Sequence, residues 1–517
     1  MIFVSYGLII FFGLLIPPYA WDSISYHLLS VFTWLKAGKL IMVQPLYDTS
    51  FFPMNGALMM FWVYLTSQNL HLINLVQLPF AFMLAFATYS LARKCNIAGA
   101  SKVIPIVLLT PVIMLLSSVE YVDIIFACFV IIGLNFIIGY LRTKTPVFIP
   151  LACIALSLAG GTKPGGFWLI IGALLFLCFL RTKKAPIKYI LSGLMLVCIS
   201  GGWWFIRNII LTGNPIFPYS LTIFGIKLLK GTTALDKVSP YSQWFVDAKW
   251  QWILYPLQEK IRGNFTYSIE NGFGMQFVLG LAALCYAIYL SIIKKDRLSC
   301  LVFLIFPVTI CFWTTAVTCS VPRYIIFLCS ITAIAFTYVY DHLNNRQQKI
   351  MDIMITYALF FSFLACLPIL IPHEANVLNA YFKNHKLSAY EYYRWEYGSI
   401  AKAWEWLDKN IPPGSVIAYN HPELITPLYG EKLQNNIIHI APYDFPNAGK
   451  NAPRTYSRWK KLLEKNNVAY FLAYIPYWNI NTGYADFSWP QKHPEDFAVL
   501  RKWDFDTKHP VIIYKVR

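Results

Sequence analysis

Long apolar runs dominate this sequence and restrict what it can fold into. A helix that crosses a bilayer needs about 17 to 25 predominantly apolar residues, and about eleven segments approach or reach that length. Strands of a membrane barrel alternate apolar and polar residues, and that alternation is absent here. The sequence therefore predicts a polytopic α-helical membrane protein. The predicted spans are residues 2–17, 71–91, 103–117, 122–141, 146–159, 165–180, 189–211, 273–293, 298–318, 324–340 and 350–371.

The charges agree with a membrane protein and suggest its orientation. Only 13% of the residues are charged, whereas soluble domains carry about a quarter. The net charge is +18, and Lys and Arg concentrate in the short loops after the even-numbered spans, as the positive-inside rule expects of cytoplasmic loops. We therefore expect a cell (inner or plasma) membrane protein with a cytoplasmic N-terminus, and no nucleic-acid partner.

The tail of the chain differs from the rest and predicts a second domain. Residues 1–372 are expected to form the membrane domain, with external loops at 18–70 and 212–272, and residues 373–517 a small extracytoplasmic α/β domain. The tail contains no P-loop, no GxGxxG and no zinc-type spacing. Trp244, Trp250 and Trp252 in the second loop predict a segment at the membrane interface. In the tail we predict helices at 397–410, 456–466 and 494–502, and strands at 415–419, 468–474 and 511–516.

Acidic residues at the predicted outer helix ends are candidates for a functional site, because ionisable groups there are costly. Asp22 follows Trp21 directly after the first span. It either caps a helix or lies at the centre of a site that faces the membrane. Glu120 and Asp123 are three residues apart, which predicts two carboxylates on one helical face. Such a pair can bind a metal or a sugar.

Three cations are expected on the same outer side. Lys163 lies in the glycine-rich turn Gly160–Gly166, Arg207 near the outer end of the seventh span, and Arg323 between the ninth and tenth spans. Each can be a snorkelling or interfacial side chain. Together with the acids they predict a site for an anionic lipid head group, because guanidinium groups bind phosphate oxygens in a bidentate way.

Several short motifs resemble those of the GT-C membrane glycosyltransferases. The similar branch includes protein O-mannosyltransferases and aminoarabinose transferases, and is glycosyltransferase family 39-like. The motifs are WDSISYHLLSVFTWLKAGKL at 21–40, SSVEYVDIIFA at 117–127, GGTKPGG at 160–166, WFIRNIILTGNPIFPY at 204–219, PRYIIF at 322–327, and Trp404 and Trp406 ahead of Pro412-Pro413-Gly414 in the tail.

The resemblance implies a reaction and a set of roles. A sugar would move from a polyprenyl-phosphate-linked donor to an acceptor on the outer face, with inversion. Asp22 would be the general base, and Asp123, with Glu120, would bind the acceptor or a metal. Lys163, Arg207 and Arg323 would hold the donor phosphate. Tyr26, His27 and Asn208 would orient the donor or acceptor. No cofactor is implied with certainty, and a divalent metal held by Asp22, Glu120 and Asp123 is left open.

Two other functions remain open from the sequence. A transporter or flippase for a lipid-linked sugar would explain the spans and the basic residues, but not a folded external domain. Inverted repeats with discontinuous helices would favour a transporter, and the sequence shows none. An oligosaccharide polymerase or ligase would depend on external arginines more than on an acidic base. The acceptor stays open among protein, membrane lipid or glycolipid, and cell-envelope glycan.

Overall fold

The structure is a computed structural model, and its chain divides into two compact units. It describes residues 1–43, 48–223, 226–231, 233–234, 272–316, 322–368, 370, 374–384, 387–421, 423–440, 455–474, 488–503 and 510–517. The predicted interfacial residues Trp244, Trp250 and Trp252 lie outside these ranges. The first unit, called here the membrane unit, comprises Met1–Leu14, Phe52–Met59 and Leu72–Pro372. The second, the α/β unit, comprises Leu15–Phe51, Met60–His71 and His373–Arg517.

Helices account for most of the described chain. In chain order they are α1 Ile2–Leu15, α2 Leu28–Ala37, α3 Asn55–Ser67, α4 Leu78–Lys94, α5 Val103–Leu108, α6 Pro111–Leu116, α7 Asp123–Thr143, α8 Phe148–Gly160, α9 Phe167–Thr182, α10 Ile187–Val197, α11 Trp203–Thr212, α12 Gly274–Ile293, α13 Arg297–Ala316, α14 Phe327–Tyr340, α15 Asn345–Cys366, α16 Glu374–Asn384, α17 Ala389–Tyr397, α18 Ser399–Asn410, α19 Tyr456–Lys465 and α20 Ser488–Lys492.

Many of these helices are apolar enough to lie in a bilayer. Among the described residues, six helical segments have the length and composition of a span, and four shorter helices are also apolar. The chain is therefore a multi-pass membrane protein, as predicted. The predicted third span, 103–117, does not form one helix. It breaks at Thr110, whose ψ of 123° is extended, because a residue before proline is pushed out of the helical region.

The interior of the membrane unit is built around α14. Every residue from Phe327 to Val339 of this helix is buried, and α7 is buried over most of its first three turns. A helix that is apolar on all sides packs in the interior of a protein. The N-terminal ends of these two helices therefore lie inside the membrane unit, where any charged residue they carry needs a partner.

Two sheets are present in the described residues. The membrane unit contains β1 Tyr219–Ile223, β2 Ile226–Leu229 and β3 Thr233–Ala234, in the order β2-β1-β3. The α/β unit contains a mixed sheet in the order β5-β4-β6-β8-β7. In it β4 runs parallel to β5 and β6, whereas β8 is antiparallel to β6 and β7. Its strands are β4 Val416–Tyr419, β5 Asn436–His439, β6 Tyr470–Ala473, β7 Phe497–Trp503 and β8 Val511–Val516.

The tail is an α/β domain as predicted, with one element of the wrong type. The segment 494–502, predicted as a helix, overlaps the edge strand Phe497–Trp503. It pairs with β8 on one side only, and after the buried Phe497 its residues are partly or fully exposed, with Val499 60% exposed. Arg501 and Lys502 provide the charges that usually protect an edge strand. The strand β5 and the helices α16, α17 and α20 were not predicted either.

Candidate active site

Asp123 is the first residue of α7, and Glu120 lies outside that helix. The expectation that both carboxylates share one helical face is wrong, because Val122 has a φ of −131° and the helix begins only after it. Asp123 is 1% exposed and Glu120 is 0% exposed. Both acids are therefore buried in the membrane unit, where a charged carboxylate requires compensation from cations or hydrogen-bond donors.

Two cations compensate Asp123. The Lys163 ammonium forms an ion pair with Oδ1 of Asp123, and Nη1 of Arg323 lies 3.5 Å from Oδ2. The side chains of Lys163 and Arg323 are only 13% and 7% exposed. The structure thus brings together three of the predicted site residues, separated by 40 and 200 positions in the sequence.

Aromatic rings line this cluster. The Lys163 ammonium lies 3.9 Å from the centroid of the Tyr324 ring, and the Arg323 guanidinium lies 4.3 Å from that of Tyr121. Cations are attracted to the faces of such rings, more so where water is excluded. Lys163 and Arg323 are thereby held in place as a pair of cations beside Asp123.

Close backbone packing fixes the turn that carries Lys163. A Cβ atom at Gly161 would lie 2.7 Å from the Cα of Gly201, and one at Gly166 would lie 2.6 Å from the Cα of Gly160. Only glycine allows such approaches. The glycines of this turn therefore allow close backbone packing, and this packing fixes the position of Lys163.

Asn55 ties the same turn to its neighbours. Its Nδ2 donates to the carbonyl oxygens of Leu158 at 3.2 Å and Ser200 at 2.8 Å, and its Oδ1 accepts from Nε1 of Trp204 at 2.8 Å. Its backbone N–H donates to Gly161 O at 2.9 Å. Sequence reasoning missed this role, although an Asn inside an apolar run is a signal for a buried hydrogen-bond network.

Gln77 fixes the backbone around Glu120 through hydrogen bonds. It is fully buried, and its Nε2 donates to Leu116 O at 2.9 Å and to Val119 O at 3.0 Å. Its Oε1 accepts from the backbone N–H of Ile124 at 2.8 Å. The backbone on both sides of Glu120 is therefore hydrogen-bonded to the Gln77 side chain. Gln77 was also missed, and its position at the start of an apolar run is again the signal.

Arg207 is held by its neighbour in the chain. Its Nη2 and Nε donate to Oδ1 of Asn208 at 2.8 and 3.1 Å, and its guanidinium lies 4.9 Å from the Trp204 ring. Asn208 is buried and donates from Nδ2 to Pro215 O at 3.2 Å. Asn208 therefore orients the Arg207 guanidinium.

Asp22 belongs to the α/β unit and does not cap a helix. It precedes a π-helical turn, Ser23–His27, in helical conformation with φ −62° and ψ −33°, and its side chain makes no capping hydrogen bond. A capping Asp instead adopts an extended backbone and accepts from the first turn. The capping interpretation of Asp22 is therefore wrong.

Hydroxyl groups of α17 hold the segment that precedes Asp22. Oη of Tyr393 donates to Pro18 O at 2.9 Å, and Oη of Tyr397 donates to Tyr19 O. The tyrosine-rich run of α17 was the sequence signal for this contact. The C-terminal tail therefore fixes the backbone on the N-terminal side of Asp22.

The connection from β4 to β5 holds the segment that follows Asp22. Oγ1 of Thr426 donates to Ile24 O at 2.5 Å, and the backbone N–H of Leu424 donates to Oγ of Ser25 at 3.1 Å. Asp22 thus lies between two anchored stretches of backbone, both attached to the tail.

Tyr26 and His27 lie on the π-helical turn itself. Their ring centroids are 4.2 Å apart, and His27 is buried. The carbonyl oxygen of Tyr26 accepts from Oγ of Ser30 at 2.9 Å. Both side chains are thereby positioned by the same turn that carries Asp22.

The carboxylate oxygens of Asp123 are better suited to pairing with Lys163 and Arg323 than to binding a metal ion. Its two oxygens already face Lys163 and Arg323, and a divalent ion prefers carboxylates that are not neutralised in this way. Across the described ranges, the group of three with metal-ligand spacing is His493, Glu495 and Asp496. No step of the reaction is therefore assigned to a metal.

The fold of this chain is similar to that of the solved structures of ArnT, which confirms the predicted fold class of a polytopic helical membrane protein with a small C-terminal α/β domain. A solved structure of ArnT, an aminoarabinose transferase from Cupriavidus metallidurans, in the apo state has a TM-score of 0.57 and 12% sequence identity, and the match covers 99% of this chain and 97% of that one. The same protein bound to undecaprenyl phosphate has a TM-score of 0.54 and 12% identity, covering 99% and 96%.

The likeness is one of structure. No protein-family model and no curated protein sequence matches the chain. At 12% identity the similarity to ArnT establishes the fold. The reaction has to be argued from the residues described above.

Proposed function

We propose that this chain is a glycosyltransferase that moves a sugar from a polyprenyl-phosphate-linked donor to an acceptor on the outer face of the cell membrane. The observation that carries the proposal is the shared fold, over 99% of this chain, with an ArnT structure bound to undecaprenyl phosphate. The N-terminus is assigned to the cytoplasm and the tail to the outer side, in agreement with the distribution of Lys and Arg.

Asp22 is proposed as the general base. A base must reach the acceptor proton at about 2.6 to 3.2 Å, which requires a carboxylate with a fixed position. The hydrogen bonds to Pro18, Tyr19, Ile24 and Ser25 supply a fixed backbone on both sides of it. Direct attack by the activated acceptor on the sugar would give inversion. Tyr26 and His27, on the same turn, would orient Asp22 or the donor.

Lys163 and Arg323 are proposed to bind the donor phosphate, with Arg207 as a third cation. When the sugar leaves, negative charge grows on the phosphate, and cations fixed in advance stabilise it without reorganising. Asp123 supports this role as the buried counter-ion of both cations, with Glu120 nearby in the sequence. Asn208 would keep the Arg207 guanidinium oriented through its two hydrogen bonds.

Sugar transfer by the purified protein tests the proposal. Proteoliposomes would be supplied with a panel of polyprenyl-phosphate sugars, and sugar transfer or donor hydrolysis would be followed for the wild type, Asp22→Asn and the exposed surface control Glu464→Gln. Turnover that Asp22→Asn abolishes and Glu464→Gln retains is the expected result. Movement of the donor across the bilayer, unchanged by Asp22→Asn and without transfer, would establish a transporter instead.

A further inference from the structure

The turn that joins α9 to α10 in the membrane unit is strongly basic and open to its surroundings. It carries four cations whose side chains are all exposed, Arg181, Lys183, Lys184 and Lys188. No Asp or Glu occurs in residues 124–235, and within the described part of the chain none of the four cations forms an ion pair. This segment, called here the basic turn, therefore presents four charges that no described carboxylate compensates.

Hydrogen bonds fix the backbone of the basic turn. The N–H of Lys184 donates to Arg181 O and the N–H of Ala185 donates to Leu180 O, each at 3.1 Å. This pair of hydrogen bonds is the Schellman motif, which ends many helices. Ala185 is buried in one apolar cluster with Leu180, whereas the lysines directly before it are exposed. The cations are therefore carried by an ordered turn.

Membrane topology alone does not account for the composition of this turn. The positive-inside rule requires an excess of Lys and Arg in a loop, and other turns predicted on the same side also contain acids. Asp296 lies between α12 and α13, and Asp341 lies between α14 and α15. Lys102, between α4 and α5, is paired with Asp352 at 2.6 Å. The basic turn differs from these because its positive charge is undiluted.

Interaction with the helix dipole explains only some of these cations. A cation near the C-terminal end of a helix is stabilised by the dipole, and Arg181 lies in the last turn of α9. Lys188, however, is the second residue of α10, where the same dipole disfavours a cation. An anionic partner outside the protein gives a cation at this position a favourable interaction.

Exposed apolar side chains border the basic turn on both helices. Leu175 and Phe179 of α9, and Ile187 and Leu191 of α10, are all exposed by half or more. Both helices belong to segments that are long and apolar enough to cross a membrane, so these side chains face lipid chains. Ile187 directly precedes Lys188 in the sequence. The charges therefore begin where the lipid-facing surface ends, which is the level at which Lys and Arg reach phospholipid head groups.

We propose that the basic turn binds the head groups of anionic phospholipids through Arg181, Lys183, Lys184 and Lys188. A phosphate of a lipid fits better than a soluble anion, because the uncompensated cations adjoin a surface that faces lipid chains. With the orientation proposed above, the lipids belong to the cytoplasmic leaflet. The inference does not depend on the proposed sugar transfer, because it concerns another end of the membrane unit and another ligand.

Native mass spectrometry of the full-length protein tests the binding. The protein in detergent would be mixed with equal amounts of phosphatidylglycerol and phosphatidylcholine, and the ratio of the two bound lipids would be measured. We expect the wild type to prefer phosphatidylglycerol. Each Lys or Arg near an anionic membrane surface contributes about fivefold to binding, so this preference should fall at least about tenfold in a variant without the four cations. That variant combines Arg181→Gln, Lys183→Gln, Lys184→Gln and Lys188→Gln.

A matched control removes the same charge from other turns on the same predicted side. It combines four substitutions of exposed residues, Lys294→Gln, Lys295→Gln, Arg346→Gln and Lys349→Gln. This control should keep the preference of the wild type. Equal losses in the two variants would show that net charge alone attracts the lipid and would overturn the site. A wild type without any preference for phosphatidylglycerol would overturn it as well.

Two further arms complete the test. Inorganic phosphate would be titrated into the protein in detergent, and binding as tight as that of phosphatidylglycerol would show a site for a soluble anion instead. If melting curves show that the fourfold variant does not fold, Lys183→Gln combined with Lys184→Gln decides the matter, since both residues lie outside the helices. No arm measures turnover, so the failure of this proposal and the failure of the proposed transfer are distinguishable.

Discussion

Nη1 of Arg323 lies 3.5 Å from Oδ2 of Asp123, at the N-terminal ends of two largely buried helices of the membrane unit, α14 and α7. The ion pair with Lys163 occupies the other oxygen of Asp123. One buried carboxylate thus sets the position of two cations that come from distant parts of the sequence. The electrostatic part of the candidate site depends on this arrangement.

Replacing Asp123 should destabilise the protein strongly. Asp123→Asn leaves two buried cations without their counter-ion, and breaking such a buried pair costs about 3 to 5 kcal/mol. Thermal unfolding in detergent should show a clearly lower midpoint. The control is Asp352→Asn, which removes the partly exposed ion pair between Lys102 and Asp352, worth about 0 to 1 kcal/mol. Equal midpoints for the two variants would contradict the role given to Asp123.

The glycine-rich turn offers a second pair of variants. In Gly161→Ala the new Cβ would lie 2.7 Å from a backbone atom of Gly201, whereas in Gly165→Ala it would meet no atom within 4 Å. Overpacking of this kind costs about 1 to 3 kcal/mol. We expect Gly161→Ala to lower both the unfolding midpoint and donor affinity, because Lys163 shifts with the turn. Gly165→Ala should resemble the wild type, and a loss of equal size there would argue against packing as the cause.

The tyrosines of α17 should affect catalysis more than stability. Tyr393→Phe removes the hydrogen bond to Pro18 O, worth about 1 kcal/mol in stability, but it also loosens the segment before Asp22. Initial transfer rates should fall several-fold with donor affinity unchanged. Tyr289→Phe, a change at a 57% exposed residue of α12, serves as control. A rate for Tyr393→Phe equal to that of Tyr289→Phe would count against the anchoring of Asp22 by the tail.

Stability should fall as the pH drops below the ordinary pKa of histidine. In the folded protein burial lowers the pKa of His421 to about 3 and that of His439 to about 4, so below pH 6.5 the unfolded chain binds protons that the folded one does not. Each histidine then destabilises the protein by roughly 1.4 kcal/mol per pH unit between pH 6.5 and its folded pKa. Unfolding midpoints should be flat from pH 8 to 7 and decrease to pH 5.

One variant separates the contribution of His421 to the pH dependence of stability from the contribution of the acidic residues. His421→Gln removes one titrating group, so its unfolding midpoint should depend less steeply on pH than that of the wild type between pH 6.5 and 5. Identical slopes for the two proteins would show that His421 is protonated as easily in the folded state as in the unfolded one.

Much of the fold could be predicted because its signals are local. Long apolar runs specify membrane helices without reference to the rest of the chain. The two elements that were predicted wrongly, the third span and the segment 494–502, also have local causes. Pro111 breaks the predicted third span at Thr110, and Phe497–Trp503 is too short for its period to distinguish a strand from a helix. Its pairing with β8 decides the matter.

The candidate site could be predicted only in part. The sequence predicts Asp123 at the end of a span, Lys163 in a glycine-rich turn and Arg323 between two spans as members of one site, and the structure shows that these three side chains pair with each other. The roles of Asn55 and Gln77 depend on contacts with backbone groups far away in the sequence. No local pattern specifies such partners, because they are set by how the helices pack.

The rate of sugar transfer by Asp22→Asn, at saturating donor, tests the central claim most directly. General base catalysis contributes roughly 10²- to 10⁴-fold, so we predict a loss of that size in kcat. The affinity for the donor, measured separately by binding, should stay within a factor of three. A variant that transfers sugar at a rate close to that of the wild type would contradict the assignment of Asp22 as the base.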